Sequence, residues 1–509
     1  MRRISIWLTL FALAASIPQR AGSQALYPAS PRMDAAMSVG PLPTNSISHI
    51  TANGTTLWIG TGKGLLRSVD GALTWENFAS VPQFARPGVF SIAARGDTFW
   101  CATGYNREVN DQSVQTGAGY TYSTNNGQTW NARPQTMDAP GDSVVMYGTN
   151  RVRFLPIIVP EQNVTFDVAL TSGEVWIASW SSGIRKSTDL GATWQRIVLP
   201  PASRNSIAPT DSLGYLNIDP RDDYNFLGFA VATENDSVIW AGTAGGINRS
   251  TDGGSSWQKF TRDNQLQHIL GNWVTAIRPQ RLGTHTRIWT TNWPAEGTGE
   301  EYGVSSTDDD GATWQNHLRG VKAYDFAFQD SIVYVATDAG LYRSDDAGRS
   351  WSRSGDIVDN ISGHRLYSPS FYAVGTIGHT VYGGSGEGLT KTLDDATHLF
   401  GEEWTVMRAY QHVETGSAYA YPNPFSPRHE YTRVHFTTGT ASSTVTIEMF
   451  DFGMNRVRTL LSQATRTGER DEPWDGRNDA GELLPNGVYF YRVVIGDQDP
   501  VWGKIMVLQ

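Results

Sequence analysis

A chain of 509 residues with 39% hydrophobic content and 18 tryptophans is long enough for a large core plus a second domain. Its formal net charge of −10, with both signs interspersed throughout, offers no basic stripe for a phosphate backbone and argues against nucleic acid as a partner. Cys101 is the single cysteine, which excludes an intramolecular disulfide and any cysteine-rich metal site.

Arg2 and Arg3 precede an apolar run, Ile4 to Ile17, that is too short for a good membrane span and reads as a secretory signal. Small residues at Ala21 and Ser23 place cleavage after Ser23, with Ala14 and Ala25 as alternatives. Residues 1–23 are thus assigned as signal peptide and 24–40 as an N-terminal extension. The mature protein is expected to be secreted or attached at the cell surface. It should carry no transmembrane segment after cleavage, and no lipid anchor, since no cysteine follows the run.

From residue 41 the chain repeats itself. The octet STDLGATW at 187 has counterparts SVDGALTW at 68, STNNGQTW at 123, STDGGSSW at 250, TDDDGATW at 307 and SDDAGRSW at 344. A degraded seventh, TLDDATHL, starts at 392, with its tryptophan displaced to Trp404. Each octet follows a short strand opened by glycine, as in Gly183-Ile-Arg-Lys. Upstream lies a second recurring strand, TLWIGT, TFWCAT, EVWIAS, VIWAGT, RIWTTN, IVYVAT and TVYGGS, preceded by a third such as VTFDVA. These runs mix β-branched, aromatic and small residues between glycines, which is strand chemistry. Four strands per unit and seven units predict an all-β fold, a seven-bladed β-propeller over residues 41–410.

The octet resembles the Asp-box, or bacterial neuraminidase repeat, S-x-D-x-G-x-T-W. That resemblance covers about residues 41 to 410 and implies the propeller, but not sialidase activity, because the repeat occurs in glycosidases, receptors and assembly factors alike. Physically, a tight turn between third and fourth strands leaves amides without ladder partners, and short polar side chains can satisfy them. Asp70, Asn125, Asp189, Asp252, Asp309, Asp346 and Asp394 are therefore expected to be structural, with glycine supplying positive φ. Trp75, Trp130, Trp194, Trp257, Trp314 and Trp351 are expected to pack the seams between blades.

Topology then selects a face. Octet turns open on one side, while the loops joining second to third strands and blade to blade open on the other. The long insertions, 105–116, 131–163, 195–225 and 292–302, fall on that second side. They carry the candidate binding residues Tyr105, Trp180, Tyr215, Tyr224, Trp293, Glu296, Glu301 and Tyr302, while Glu300 and Asp222 are the weak catalytic candidates. A sialidase needs three converging arginines and an Arg-Ile-Pro motif. The motif is absent, and Arg95, Arg278 and Arg281 are the arginines nearest inner strands. No metal or other cofactor is indicated: TDDDG at 307 lacks calcium-loop spacing, and no His-x₃-His pair or phosphate loop occurs.

After a linker at 411–420, YPNPFSP opens a segment at 421–509 with alternating strands TRVHFTT, STVTIEMFD, NRVRTLL, GVYFYRVVIG and WGKIMVLQ. About seven short strands predict a small immunoglobulin-like β-sandwich. Tyr421-Pro-Asn-Pro-Phe, Phe450-Asp451, Trp474-Asp-Gly-Arg-Asn, Gly481 and Asn486-Gly-Val-Tyr-Phe-Tyr resemble the flagellar-hook-cap immunoglobulin-like module and the type A sorting domain of the type IX secretion system. Met454 stands where many members carry glycine. The resemblance implies the type IX machinery as a partner. The expected function is an exported propeller that binds a glycan or protein ligand. The alternatives are a glycoside hydrolase using carboxylates on the long-loop face, and a structural or assembly factor.

Overall fold

The computed structural model describes residues 42–84, 88–109, 112–295, 297, 299–360, 365–409, 416–428 and 431–509. The signal peptide, the N-terminal extension and Glu296 lie outside the described residues. The chain divides into two compact units. One holds residues up to 355 with 369–400, and the other holds 356–368 with 401–509.

The first unit is a seven-bladed β-propeller whose blades are meanders of consecutive antiparallel strands. Blade one runs Ile47–Asn53, Thr56–Thr61, Gly64–Ser68 and Glu76–Asn77. The inner strands that follow are Gly88–Arg95, Thr165–Leu170, Gly228–Thr233, Trp273–Leu282, Ala323–Gln329 and Phe371–Ile377. Second strands are covered on both sides by neighbouring blades, so TLWIGT is buried from Leu57 to Thr61 and reads as a continuous apolar run.

A ladder of tryptophans joins the blades. The second-strand tryptophan of one blade meets the octet tryptophan of the next edge to face. The pairs are Trp58–Trp130, Trp100–Trp194, Trp176–Trp257, Trp240–Trp314 and Trp289–Trp351, with centroids 6.1 to 6.4 Å apart. Each such pair is worth about 0.5–1.5 kcal/mol beyond its area. The octet glycine sits under that ladder. A Cβ on Gly254, whose φ is +85°, would lie 2.4 Å from the Trp176 ring, so this position needs both the left-handed backbone and the missing side chain. The first octet has Ala72 there, with φ 69°. It faces blade seven, whose second strand carries Tyr382 in place of tryptophan.

No strand is exchanged at closure, because all four strands of blade one are consecutive. Blade seven packs directly on blade one, and Lys391 Nζ donates to Gly71 O at 2.8 Å.

Two insertions fold onto each other. Val144–Tyr147, Asn150–Phe154 and Leu216–Ile218 form a three-stranded sheet, the last strand parallel to its neighbour. Its Tyr147, Val152 and Ile218 join the core of blades three and four. Tyr147 Oη donates to Ser255 O in the blade-four octet at 2.7 Å. This part of the insertions therefore reaches the octet side, while Tyr224 of the second insertion stays with the opposite face. Buried Arg185 pairs with Asp138 at 2.8 Å beneath them.

The second unit is built on two 19-residue bent strands, Thr432–Phe450 and Arg456–Trp474, paired along their length. Ala418–Tyr421, Gly487–Ile495 and Val501–Val507 complete a five-stranded sheet. Sequence patterning had suggested more and shorter strands. Register breaks such as Thr437/Ser442 bend the long strands without ending them. Trp474 is fully buried, and its indole donates to Arg477 O at 3.0 Å, closing the turn after it.

Candidate functional site at the channel mouth

Every inner strand carries a β-bulge at the equivalent place, one or two residues in from its start. The irregularities fall at Ile47/His49, Val89/Ser91, Thr165/Asp167, Gly228/Ala230, Val274/Ala276, Ala323/Asp325 and Phe371/Ala373. The extra residue has no partner across the ladder and its side chain is re-aimed. These residues are Ser48, Phe90, Phe166, Phe229, Thr275, Tyr324 and Tyr372. Five are aromatic, and all stand where the inner strands begin, opposite the octets.

Their rings connect. Phe90 meets Phe166 at 6.2 Å and Phe166 stacks on Phe229 at 5.6 Å. Phe229 meets Trp180 and Trp273 at 5.1 and 5.2 Å. Trp273 leads to Trp293, and Trp293 to Tyr302 and Tyr324 at 6.1 and 5.7 Å. Tyr324 ends the run on Tyr372 at 5.3 Å. The result is an aromatic arc from blade two to blade seven around the channel mouth.

Of the residues proposed from sequence, Trp180, Tyr224, Trp293 and Tyr302 fall in this cluster. Tyr215 is 78% exposed beside the added sheet. Tyr105 lies in the extended second-strand hairpin of blade two, opposite Thr116. Glu301 pairs with Arg319 at 2.9 Å. Glu300 has both oxygens engaged, one taking Asn272 Nδ2 at 2.8 Å and the other the Ala295 amide of its own loop. Asp222 sits on an exposed turn, its amide donating to Asp219 O. The three arginines also part company. Arg95 faces Asp236, Arg281 donates to Glu234 O, and Arg278 lies inside the channel.

Asp394 departs from its expected place. The seventh octet's turn is held by Asp395, which accepts from the Thr397 and His398 amides. Buried Asp394 accepts instead from Tyr334 Oη and from Arg343 Nε, the latter at 2.5 Å. The lost glycine shifts the turn by one residue. In the other copies the acceptor is the third octet residue: Asp189 Oδ1 takes the Thr193 amide and Ser187 hydroxyl at 2.8 Å each.

Below the arc, Arg278 bridges Asp167 at 3.0 Å and Asp325 at 3.1 Å. Ser91 Oγ donates to Asp167 Oδ1 at 3.1 Å, and the Val231 amide to Oδ2 at 3.2 Å. Burial pushes the Asp325 carboxyl above its ordinary value and His49 below its own. Five blades are thereby tied across the axis.

Beside the arc stands Lys322, missed in the sequence because it is a single lysine before an inner strand. Its Nζ lies 4.1 Å from the Trp293 ring centre, 5.6 Å from Tyr324 and 5.8 Å from Tyr302. Burial lowers its pKa, with Asp338 acting the other way. Among the described residues, Nζ makes no hydrogen bond or ion pair, and neither do the hydroxyls of Tyr302, Tyr324 and Tyr372. Burial raises all three phenols, so they are neutral donors. The described residues contain no cluster of histidine, cysteine, aspartate and glutamate able to hold a metal. None of their helices is long and apolar enough to cross a membrane.

Residues 428–499 match the FlgD Ig-like domain. No curated protein matches the sequence. Among solved structures, YCF48 from Cyanidioschyzon merolae is 19% identical with a TM-score of 0.41, over 69% of this chain and 95% of that one. PorZ, a surface component of the type IX secretion system of Porphyromonas gingivalis, is 14% identical with a TM-score of 0.39, over 92% of this chain and 66% of that one. BamB from Moraxella catarrhalis is 10% identical with a TM-score of 0.35, over 70% and 97%. The fold and the family match together define a β-propeller protein with a C-terminal FlgD Ig-like domain.

Proposed function

We propose that this protein is an exported binding propeller that holds a glycan or protein ligand at the channel mouth. The observation that carries this reading is the aromatic arc, in which half-buried rings stand beside an ammonium and three phenols that make no hydrogen bond among the described residues. Apolar walls with a few convergent polar groups are what a ligand site requires. The octets, by contrast, serve their own turns. Glu300, the described carboxylate nearest catalytic use, spends its oxygens on Asn272 and the Ala295 amide, and the reading we favour is binding without turnover. Trp180→Ala and Tyr324→Ala should each abolish retention of the chain on a glycan or peptide array while leaving its melting transition in place. Retention unchanged in both variants would remove the mouth from consideration.

Delivery is proposed to use residues 1–23 for export and the C-terminal unit as a sorting signal read by the type IX machinery. Removing residues 416–509 should leave the propeller in the periplasm, and unaltered surface delivery would refute the sorting role.

A further inference from the structure

The geometry points to a narrower ligand class at the sector of blades five to seven: a subsite for an acidic sugar residue, with Lys322 taking the carboxylate and the tyrosine hydroxyls and Asp338 taking ring hydroxyls. This rests on the reading of the mouth as a binding site and adds the chemistry of the ligand.

Three observations converge. The Lys322 ammonium is 4.1 Å above Trp293, partly stripped of water, and makes no hydrogen bond or ion pair among the described residues. A cation in that state gains most from an anionic acceptor, since charge-assisted hydrogen bonds strengthen where water is excluded. Second, the neighbouring groups mix donors and an acceptor. Tyr302, Tyr324 and Tyr372 are neutral phenols, and Asp338 stands beside Lys322, its Oδ1 accepting from the Lys322 amide at 3.3 Å and its Oδ2 left for a ligand hydroxyl. Sugar hydroxyls both donate and accept, so a pyranose can use such a set within the span of one ring. Third, Tyr302, Tyr324 and Tyr372 are half-buried and leave ring surface open for the C–H face of a sugar.

The same facts disfavour other ligands. Lys322 already occupies the Trp293 face that a quaternary ammonium would seek. A dianionic phosphate would meet one cation with a carboxylate beside it, in a chain of net charge −10. A uronate, singly charged and rich in hydroxyls, suits the group.

The test is calorimetric titration of the full chain with oligo-galacturonate, oligo-glucuronate and oligo-mannuronate, and with each oligomer after its carboxyls are reduced to alcohols. At least one uronate should bind about tenfold more tightly than its reduced form, the size of one charge-assisted hydrogen bond. Lys322→Met should erase that preference by weakening the uronate more than its reduced form. Lys322→Arg should keep it, which separates lost charge from lost folding. Tyr324→Phe should weaken both oligomers alike. A preference that survives Lys322→Met, or uronates that bind no better than their reduced forms, overturns the assignment but not binding at the mouth. Poly-glutamate competing as well as every uronate would make the occupant an acidic peptide and also overturn it. If neither sugars nor peptides bind and Trp180→Ala changes nothing, the reading of the mouth falls as well.

Discussion

At the octet end of a blade, Asp189 uses both oxygens inside its own turn, on Ser187 and Thr193, whereas at the opposite end the Lys322 ammonium and its neighbouring phenol hydroxyls make no hydrogen bond among the described residues. The octet end repeats one chemistry from blade to blade. The axial end repeats only a backbone device, the bulge, and lets each blade place a different side chain on it. Ser48, Phe90, Phe166, Phe229, Thr275, Tyr324 and Tyr372 occupy one structural position, yet no consensus octet would include them. Repetition builds the scaffold, and divergence at a repeated position builds the surface that can discriminate.

If that contrast holds, axial residues are non-redundant and their loss is severe. Arg278 alone neutralises Asp167 and Asp325, so Arg278→Met leaves two buried carboxylates uncompensated and should cost about 3–5 kcal/mol near pH 7. The sign of its pH dependence follows from Asp325, whose folded-state pKa burial raises above the ordinary 3.8. Such a carboxyl binds its proton more tightly when folded, so stability is recovered as pH falls through the raised value. Urea unfolding at pH 7 and pH 5 should show a smaller deficit at the lower pH, and an equal deficit would mean that the carboxylates are not the cause.

Octet positions should be milder. Gly254→Ala brings a Cβ to 2.4 Å from the Trp176 ring at a φ of +85°, and should cost about 1–3 kcal/mol, read as a fall in Tm. Gly253→Ala, at a φ of +68° with open space around it, meets backbone strain alone and should cost about 1 kcal/mol. Adding Trp176→Tyr should recover part of the Gly254→Ala loss, because the first octet keeps Ala72 at this position and its Gly71 faces Tyr382 at the closing seam. No recovery would break the link between ring size and the octet glycine.

The propeller was legible because each octet is a contiguous string whose spacing survives insertion. Half of the aromatic cluster was legible too: Trp180, Tyr224, Trp293 and Tyr302 lie in loops that topology assigns to one face. Phe90, Phe166, Phe229, Tyr324 and Tyr372 were not, because a bulge shifts a strand's alternation by one residue and pattern reading sends such a residue to the wrong side. The alignment of VFS, TFD, GFA, AYD and FYA at inner-strand starts was the available signal. Tyr215 stands apart from the cluster, 78% exposed, for a different reason. Length between repeats indicates an insertion, but not that Asn150–Phe154 and Leu216–Ile218 would pair in parallel and carry that part of the insertion away from the mouth. Glu300 looked available because sequence does not reveal that Asn272 and the Ala295 amide would occupy it.

The smallest effect concerns the octet carboxylate, and the protein contains its own control. Asp189 is held at about 2, below its ordinary 3.8, first by the Thr193 amide and then by the hydroxyls of Thr193 and Ser187. A carboxyl depressed on folding stabilises above its unfolded pKa and loses that contribution as pH falls from 3.8 toward about 2. In the second octet Asn125 does the same work without charge: its Oδ1 takes the Ser123 hydroxyl and Thr129 amide at 2.9 Å each, and its Nδ2 donates to Thr129 Oγ1 at 2.9 Å. Asp189→Asn should therefore keep most of the stability at pH 7 while flattening its decline between pH 4 and pH 2, whereas Asp189→Ala should lower Tm at pH 7. If Asn behaved like Ala at neutral pH, the charge and not the hydrogen-bond geometry would be holding the turn, and Asn125 would have to be the weakest of the seven.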